Sequence, residues 1–111
     1  MCGITGYFAF SGLVEETSRL RAMNRAVAHR GPDGEGAVFI RSDGATAPAC
    51  FVGERTRMTP SGLPEWNGDL RLPHDVAMGH RRFAIIDLTA GGHQPFLSND
   101  GSLALSFNGE I

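Results

Sequence analysis

The sequence is poor in anything that would mark it for export, for a membrane or for nucleic acid. Its opening, Met1-Cys2-Gly3-Ile4-Thr5-Gly6, has no basic leader, and the apolar run that follows is too short for a secretory signal or a membrane span. Residence in the cytoplasm is therefore expected. No block of like charges occurs, and a formal net charge of -2 over 111 residues leaves no electrostatic footprint for nucleic acid or an anionic membrane. Two cysteines, Cys2 and Cys50, unlike in setting, make no disulfide framework. Four histidines, His29, His74, His80 and His93, lack the spacing of zinc ligands, and no Cys-x-x-Cys accompanies them, so no metal is expected. The glycines between positions 31 and 36 come without the Lys-Ser/Thr of a phosphate loop or the Gly-x-Gly-x-x-Gly of a dinucleotide site.

What is present is a globular composition, 41% hydrophobic and 20% charged, enough for one domain with a modest core. Residues 3 to 10, ended by Ser11-Gly12, read as a first strand. From Val14 to His29 the residues Leu20, Met23 and Val27 recur at helical spacing, and Gly31-Pro32 enforces a stop, which predicts an amphipathic helix. Residues 36 to 41 and 49 to 53 are strands flanking a Ser42-Asp43-Gly44 turn. The stretch from Glu54 to Asp75, with Pro60, Pro64 and Pro73, reads as a surface loop holding Trp66 against the body. Val76 to Leu88 is the most apolar stretch and predicts one or two buried strands, followed by a polar turn at Ala90 to His93. After the Asn99-Asp100-Gly101 turn, Leu103, Leu105 and Phe107 alternate with small residues, which predicts a strand buried on its apolar face. The economical architecture is α+β, a layered arrangement of sheet and helix. The chain stops directly after this run, so residues 1–111 are expected to be the front part of a domain rather than a finished one.

Several residues have the chemistry of a site. Loss of Met1 would give Cys2 a thiol and a free amine together, and an α-amino group of pKa about 8 can take the thiol proton. The plainer reading is a small buried cysteine. Asn108-Gly109 offers a side-chain amide and an unobstructed backbone N–H, the donors an oxyanion requires, but Asn-Gly is also the commonest hairpin turn pair. Arg30 and Asp33, around Gly31-Pro32, either hold loops around a pocket or satisfy each other and the last helix carbonyls. In Gly79-His80-Arg81-Arg82 one guanidinium can bind a carboxylate in bidentate fashion; the alternative is two surface arginines flanking a strand. Cys50, beside Phe51 and Val52, reads as core.

Taken in order, Met1-Cys2-Gly3-Ile4-Thr5-Gly6, His29-Arg30-Gly31-Pro32-Asp33, Gly79 to Asp87 (Gly-His-Arg-Arg-Phe-Ala-Ile-Ile-Asp), Gly92-His93-Gln94-Pro95 and Phe107-Asn108-Gly109-Glu110-Ile111 resemble the class II glutamine amidotransferase domain of glutamine-hydrolysing asparagine synthetases. The Arg-Gly-Pro-Asp block resembles the asparagine synthetase branch rather than the glucosamine-phosphate synthases, which would show Arg-Gly-Tyr-Asp.

The resemblance implies an N-terminal-nucleophile hydrolase fold, with two stacked antiparallel sheets between helices, incomplete here. It implies that Cys2 is the nucleophile, that Asn108 and Gly109 form the oxyanion hole, and that Arg82 binds the carboxylate of glutamine. Backbone groups of Phe83, Ala84, Ile85 and Ile86 would line the pocket, Glu110 would hold the substrate amine, and Arg30, Asp33 and His80 would support the site. A further aspartate that contacts glutamine in the family would lie beyond Ile111. Glutamine is the implied substrate, and the implied partner is a C-terminal synthetase domain that binds ATP and magnesium, with no cofactor in these residues and a homodimer left open. The rival readings are an amidotransferase acting on another acceptor, and a degenerate domain kept for interaction.

Overall fold

The computed structural model describes residues 2–57, 60–68, 70–84 and 89–108. Its centre is a four-stranded antiparallel sheet in the order β1-β6-β3-β4, built from β1 (Gly3–Phe8), β3 (Gly34–Ile40), β4 (Ala49–Val52) and β6 (Val76–Arg82). Two small ribbons flank it, β2 (Val14–Glu16) with β5 (Arg71–His74), and β7 (Phe96–Leu97) with β8 (Ala104–Leu105). One helix, α1 (Ser18–Ala26), packs on β1 and β6. The architecture is thus mixed α and β with antiparallel sheets and few helices. No helix among the described residues is long and apolar enough to cross a membrane.

The register explains how the sheet acquires two different faces. Opposite β6, Thr5 pairs Gly79 and Tyr7 pairs Ala77 on one side, while Glu35, Ala37 and Phe39 pair Arg81, Gly79 and Ala77 on the other. Because side chains alternate, these residues share one face. That face carries the core, in which Leu20 of α1 meets Ala37, Phe39, Trp66 and Ala77. Gly79 is required there, since a Cβ would stand 2.1 Å from Asn24 Oδ1 and 2.4 Å from Thr5 Oγ1, two groups hydrogen-bonded to each other. The other face holds His80 and Gly36, against which His93, Gln94 and Ser106 pack.

A buried ion pair crosses the sheet on the core face. Arg81 Nη1 lies 3.6 Å from Glu35 Oε2, with the two side chains 2% and 0% exposed. Two further atoms of the pair are tied to the backbone: Arg81 Nε donates to Gly31 O at 3.2 Å, and Glu54 N donates to Glu35 Oε1 at 2.9 Å. The pair therefore fastens the helix-ending turn and the loop after β4 to the sheet.

Three expectations about elements are corrected. The helix predicted from Val14 begins only at Ser18, because Val14 to Glu16 pair with β5 and Thr17, buried at the start of α1, bonds to Leu70 O and accepts from Trp66 Nε1. Its far end tightens into a 3₁₀ turn over Ala28–Arg30 before Gly31. The stretch from Glu54 to Asp75 includes β5, a strand short enough to accommodate Pro73, and it does bury Trp66. The strand expected over residues 102 to 107 is paired at Ala104–Leu105 among the described residues, and two of its apolar residues face outward, Leu103 being 71% and Leu105 56% exposed, while Phe107 is half-buried. Ser106 faces inward because His80 Nδ1 bonds its hydroxyl at 2.8 Å. The strands predicted at 36 to 41 and 49 to 53 are observed at Gly34–Ile40 and Ala49–Val52. Cys50 is half-buried rather than fully in the core, and burial raises its thiol pKa.

Candidate active site

Cys2 precedes β1 at the end of the sheet where β6 finishes and the 3₁₀ turn after α1 arrives. Its sulfur lies 3.3 Å from Phe83 N, which donates to it, and 3.8 Å from Phe83 O. Its carbonyl accepts two hydrogen bonds, from Arg30 Nε at 3.1 Å and from Asn108 Nδ2 at 3.1 Å. Four segments distant in sequence thus meet at one residue. Gly3 permits the approach of the helix end, since a Cβ there would stand 2.8 Å from Val27 Cγ2.

The turn after α1 is built around close backbone contact. A Cβ on Gly31 would stand 2.2 Å from the carbonyl carbon and oxygen of Arg81, so only glycine lets this turn lie on β6. Asp33 then spans the exit of β6: its N–H donates to Arg82 O at 2.9 Å, and its carboxylate accepts from Ala84 N at 2.9 Å. Arg57 Nη1 stands 3.8 Å from the same carboxylate. Residues 82 to 84 are held on both sides of Phe83.

Arg82 is buried at 8% exposure and turns towards the loop that follows, where Nη1 donates to Thr89 O at 2.6 Å. Thr89 Oγ1 caps the short 3₁₀ turn Ala90–Gly92 by accepting from Gly91 N. Gly92 leaves room for the guanidinium, for a Cβ there would stand 2.3 Å from Nη2. Burial is the main cause that lowers the His80 pKa, to about 4, with His93 and Arg82 adding to it, so His80 is neutral near pH 7. Burial likewise lowers that of His93, with Arg82 adding to it and a hydrogen bond with the Phe51 backbone opposing it. Among the described residues no group of three or more His, Cys, Asp or Glu could hold a metal ion.

Of the residues singled out from the sequence, Cys2, Arg30, Asp33, Phe83, Ala84 and Asn108 are brought together. Arg82 adjoins them in the chain but points to the 89–92 turn, and His80 bonds Ser106, two residues before Asn108. Ile85, Ile86, Gly109 and Glu110 lie outside the described residues. Sequence reasoning gave no role to Gln94, whose carboxamide bonds both the N–H and the carbonyl of Phe107, or to Thr89 and Gly92, which bound the Arg82 guanidinium. The only signal was that Gln94 and Gly92 fall inside one of the quoted motifs.

Residues 60–111 match the glutamine amidotransferase domain. A protein of Methanocaldococcus jannaschii, provisionally named a glutamine-hydrolysing asparagine synthetase, is 33% identical over 95 residues, covering 86% of this chain and 13% of that protein. The glutamine-hydrolysing asparagine synthetase of Asparagus officinalis is 39% identical over 75 residues, covering 68% of this chain and 12% of its own length. The amidase chyE of Penicillium rubens is 26% identical over 122 residues, spanning 100% of this chain and 13% of the amidase. The chain therefore spans about an eighth of the length of these curated relatives. No solved structure matches it significantly. Residues 60–111 belong to the glutamine amidotransferase domain family, and the chain as a whole is related to the glutamine-hydrolysing asparagine synthetases.

Proposed function

We propose that this chain is the glutaminase part of an asparagine-synthetase-type enzyme in which Cys2, freed as the N-terminal residue, releases ammonia from glutamine. The observation that carries the reading is the meeting of Cys2 with Asn108, whose amide Nδ2 lies 3.1 Å from the Cys2 carbonyl oxygen although 106 positions separate the two. A nucleophile and a donor for the developing oxyanion are the two parts that amide hydrolysis needs side by side.

The mechanism runs in two halves. The Cys2 thiol gives its proton to the α-amine, and the thiolate attacks the side-chain carbonyl carbon of glutamine. Asn108 Nδ2 and Gly109 N–H stabilise the resulting oxyanion. Collapse breaks the carbon–nitrogen bond, the amine returns its proton to the leaving nitrogen, and ammonia departs. Water, deprotonated by the same amine, then attacks the thioester and releases glutamate and the thiol. Arg82 holds the glutamine carboxylate, Phe83 to Ile86 line the pocket with backbone groups, and Glu110 binds the substrate amine. Arg30, Asp33 and His80 support this arrangement. The fold extends to the stacked sheets of N-terminal-nucleophile hydrolases, and ammonia passes to aspartate activated by ATP in a synthetase domain.

The direct test is glutamine hydrolysis by full-length protein carrying Cys2→Ala. Loss of turnover is expected, and hydrolysis at the parental rate would refute the nucleophile assignment. Asn108→Ala should lower kcat by about a hundredfold, the cost of one lost oxyanion donor. A second reading has its own support, since two fungal proteins named amidases match this chain over its whole length. It keeps the glutaminase and changes the ammonia acceptor. Assay of the full-length protein with aspartate, ATP and glutamine separates the two, because only the first reading yields asparagine.

A further inference from the structure

We propose that Gln94 is the positioning residue of the oxyanion donor, its carboxamide substituting for a neighbouring strand and fixing where Asn108 leaves the backbone. The inference rests on the proposed role of Asn108 and adds to it a residue to which no role has been assigned. The strand β8 ends at Leu105, and Asn108 is itself exposed, so burial does not fix its side chain. Gln94 Oε1 accepts from Phe107 N at 2.6 Å, and Gln94 Nε2 donates to Phe107 O at 3.1 Å. These are the two backbone groups that a partner residue across an antiparallel ladder would satisfy, and a primary amide supplies one acceptor and one donor to match.

Gln94 is in turn wedged on the central sheet. A Cβ on Gly36 would stand 1.8 Å from Gln94 O and 2.8 Å from His93 Nε2, so the Gln94 backbone and the His93 ring lie directly on β3. Pro95, which follows through a cis peptide bond, is buried. One residue before Phe107, Ser106 is held by His80 of β6 at 2.8 Å. A continuous chain of contacts therefore runs from β3 through Gln94 and Phe107 to Asn108 and the Cys2 carbonyl. Displacing a preorganised donor weakens transition-state binding while leaving ground-state substrate contacts in place.

The test is steady-state glutamine hydrolysis by full-length protein carrying Gln94→Ala, Asn108→Ala and both. Gln94→Ala should lower kcat about tenfold or more with the glutamine KM within about twofold, and should add less than about twofold when Asn108 is already alanine, as expected for residues acting as one unit. Multiplying effects in the double variant, an unchanged kcat, or a loss carried mainly by KM would overturn the proposal. If Asn108→Ala turns over at the parental rate, the oxyanion reading itself falls, whatever Gln94→Ala does. Should Gln94→Ala fail to fold, Gln94→Met keeps the side-chain length without the amide and carries the same comparison. Failure of both to fold would assign Gln94 to structure and overturn the proposal.

Discussion

A sulfur 3.3 Å from the Phe83 N–H, on a residue whose carbonyl is held by both Arg30 and Asn108, has its position set by three separate segments. Arg82 is treated in the same way: Thr89 O takes one of its donors and Gly92 stands clear of its guanidinium. Gly92→Ala would put a methyl 2.3 Å from Arg82 Nη2, so it should raise the glutamine KM several-fold with kcat little changed, as a displaced carboxylate clamp would. Initial rates across a glutamine series would check this; an unchanged KM would detach Arg82 from substrate binding. Cys2, Arg30, Asp33 and Asn108 could be singled out in the sequence because each carries a reactive or hydrogen-bonding side chain inside one of the quoted motifs. Gln94 was not, because its partner is the backbone of Phe107, and a backbone partner leaves no mark on residue identity.

Among the elements, the order and rough place of the central strands could be read from apolar runs and the Ser42-Asp43-Gly44 turn. The conversion of Val14–Glu16 into a strand could not, because it depends on pairing with residues near position 72, and helical spacing of apolar residues is blind to such a partner. The outward turn of Leu103 and Leu105 is similar: alternation shows that a strand has two faces but not which one His80 will draw inward through Ser106. The Glu35–Arg81 pair ties β3, β6 and two loops together, and removing one partner leaves a buried charge uncompensated. Glu35→Ala should therefore cost about 3 to 5 kcal/mol, and replacing both residues with apolar ones of similar volume should cost less. Urea unfolding of the two variants measures this. A double variant as unstable as Glu35→Ala would mean that the hydrogen bonds to Gly31 and Glu54, not the charges, matter most.

For the molecule as a whole, acid is the informative perturbation. Burial, with His93 and Arg82 close by, holds the His80 pKa at about 4 in the folded chain, against 6.5 for the free side chain. Between these values the unfolded chain binds more protons than the folded one, so stability rises with pH across the window. The contribution is fully present above the unfolded pKa and is lost as pH falls towards the folded one, by on the order of 3 kcal/mol from this group. Denaturant midpoints at a series of pH values should show that decline, and His80→Gln should flatten it. An equally steep decline in the variant would assign it to other groups.

A Cys2 nucleophile must become covalently attached to the acyl group of glutamine during turnover. Mass spectrometry of full-length protein, acid-quenched during turnover and digested, reads this directly. A glutamyl thioester is expected on a peptide that begins at Cys2, and it should be absent from Cys2→Ala. An active protein whose terminal peptide retains Met1, or carries no adduct under conditions where acylation outpaces hydrolysis, would contradict it.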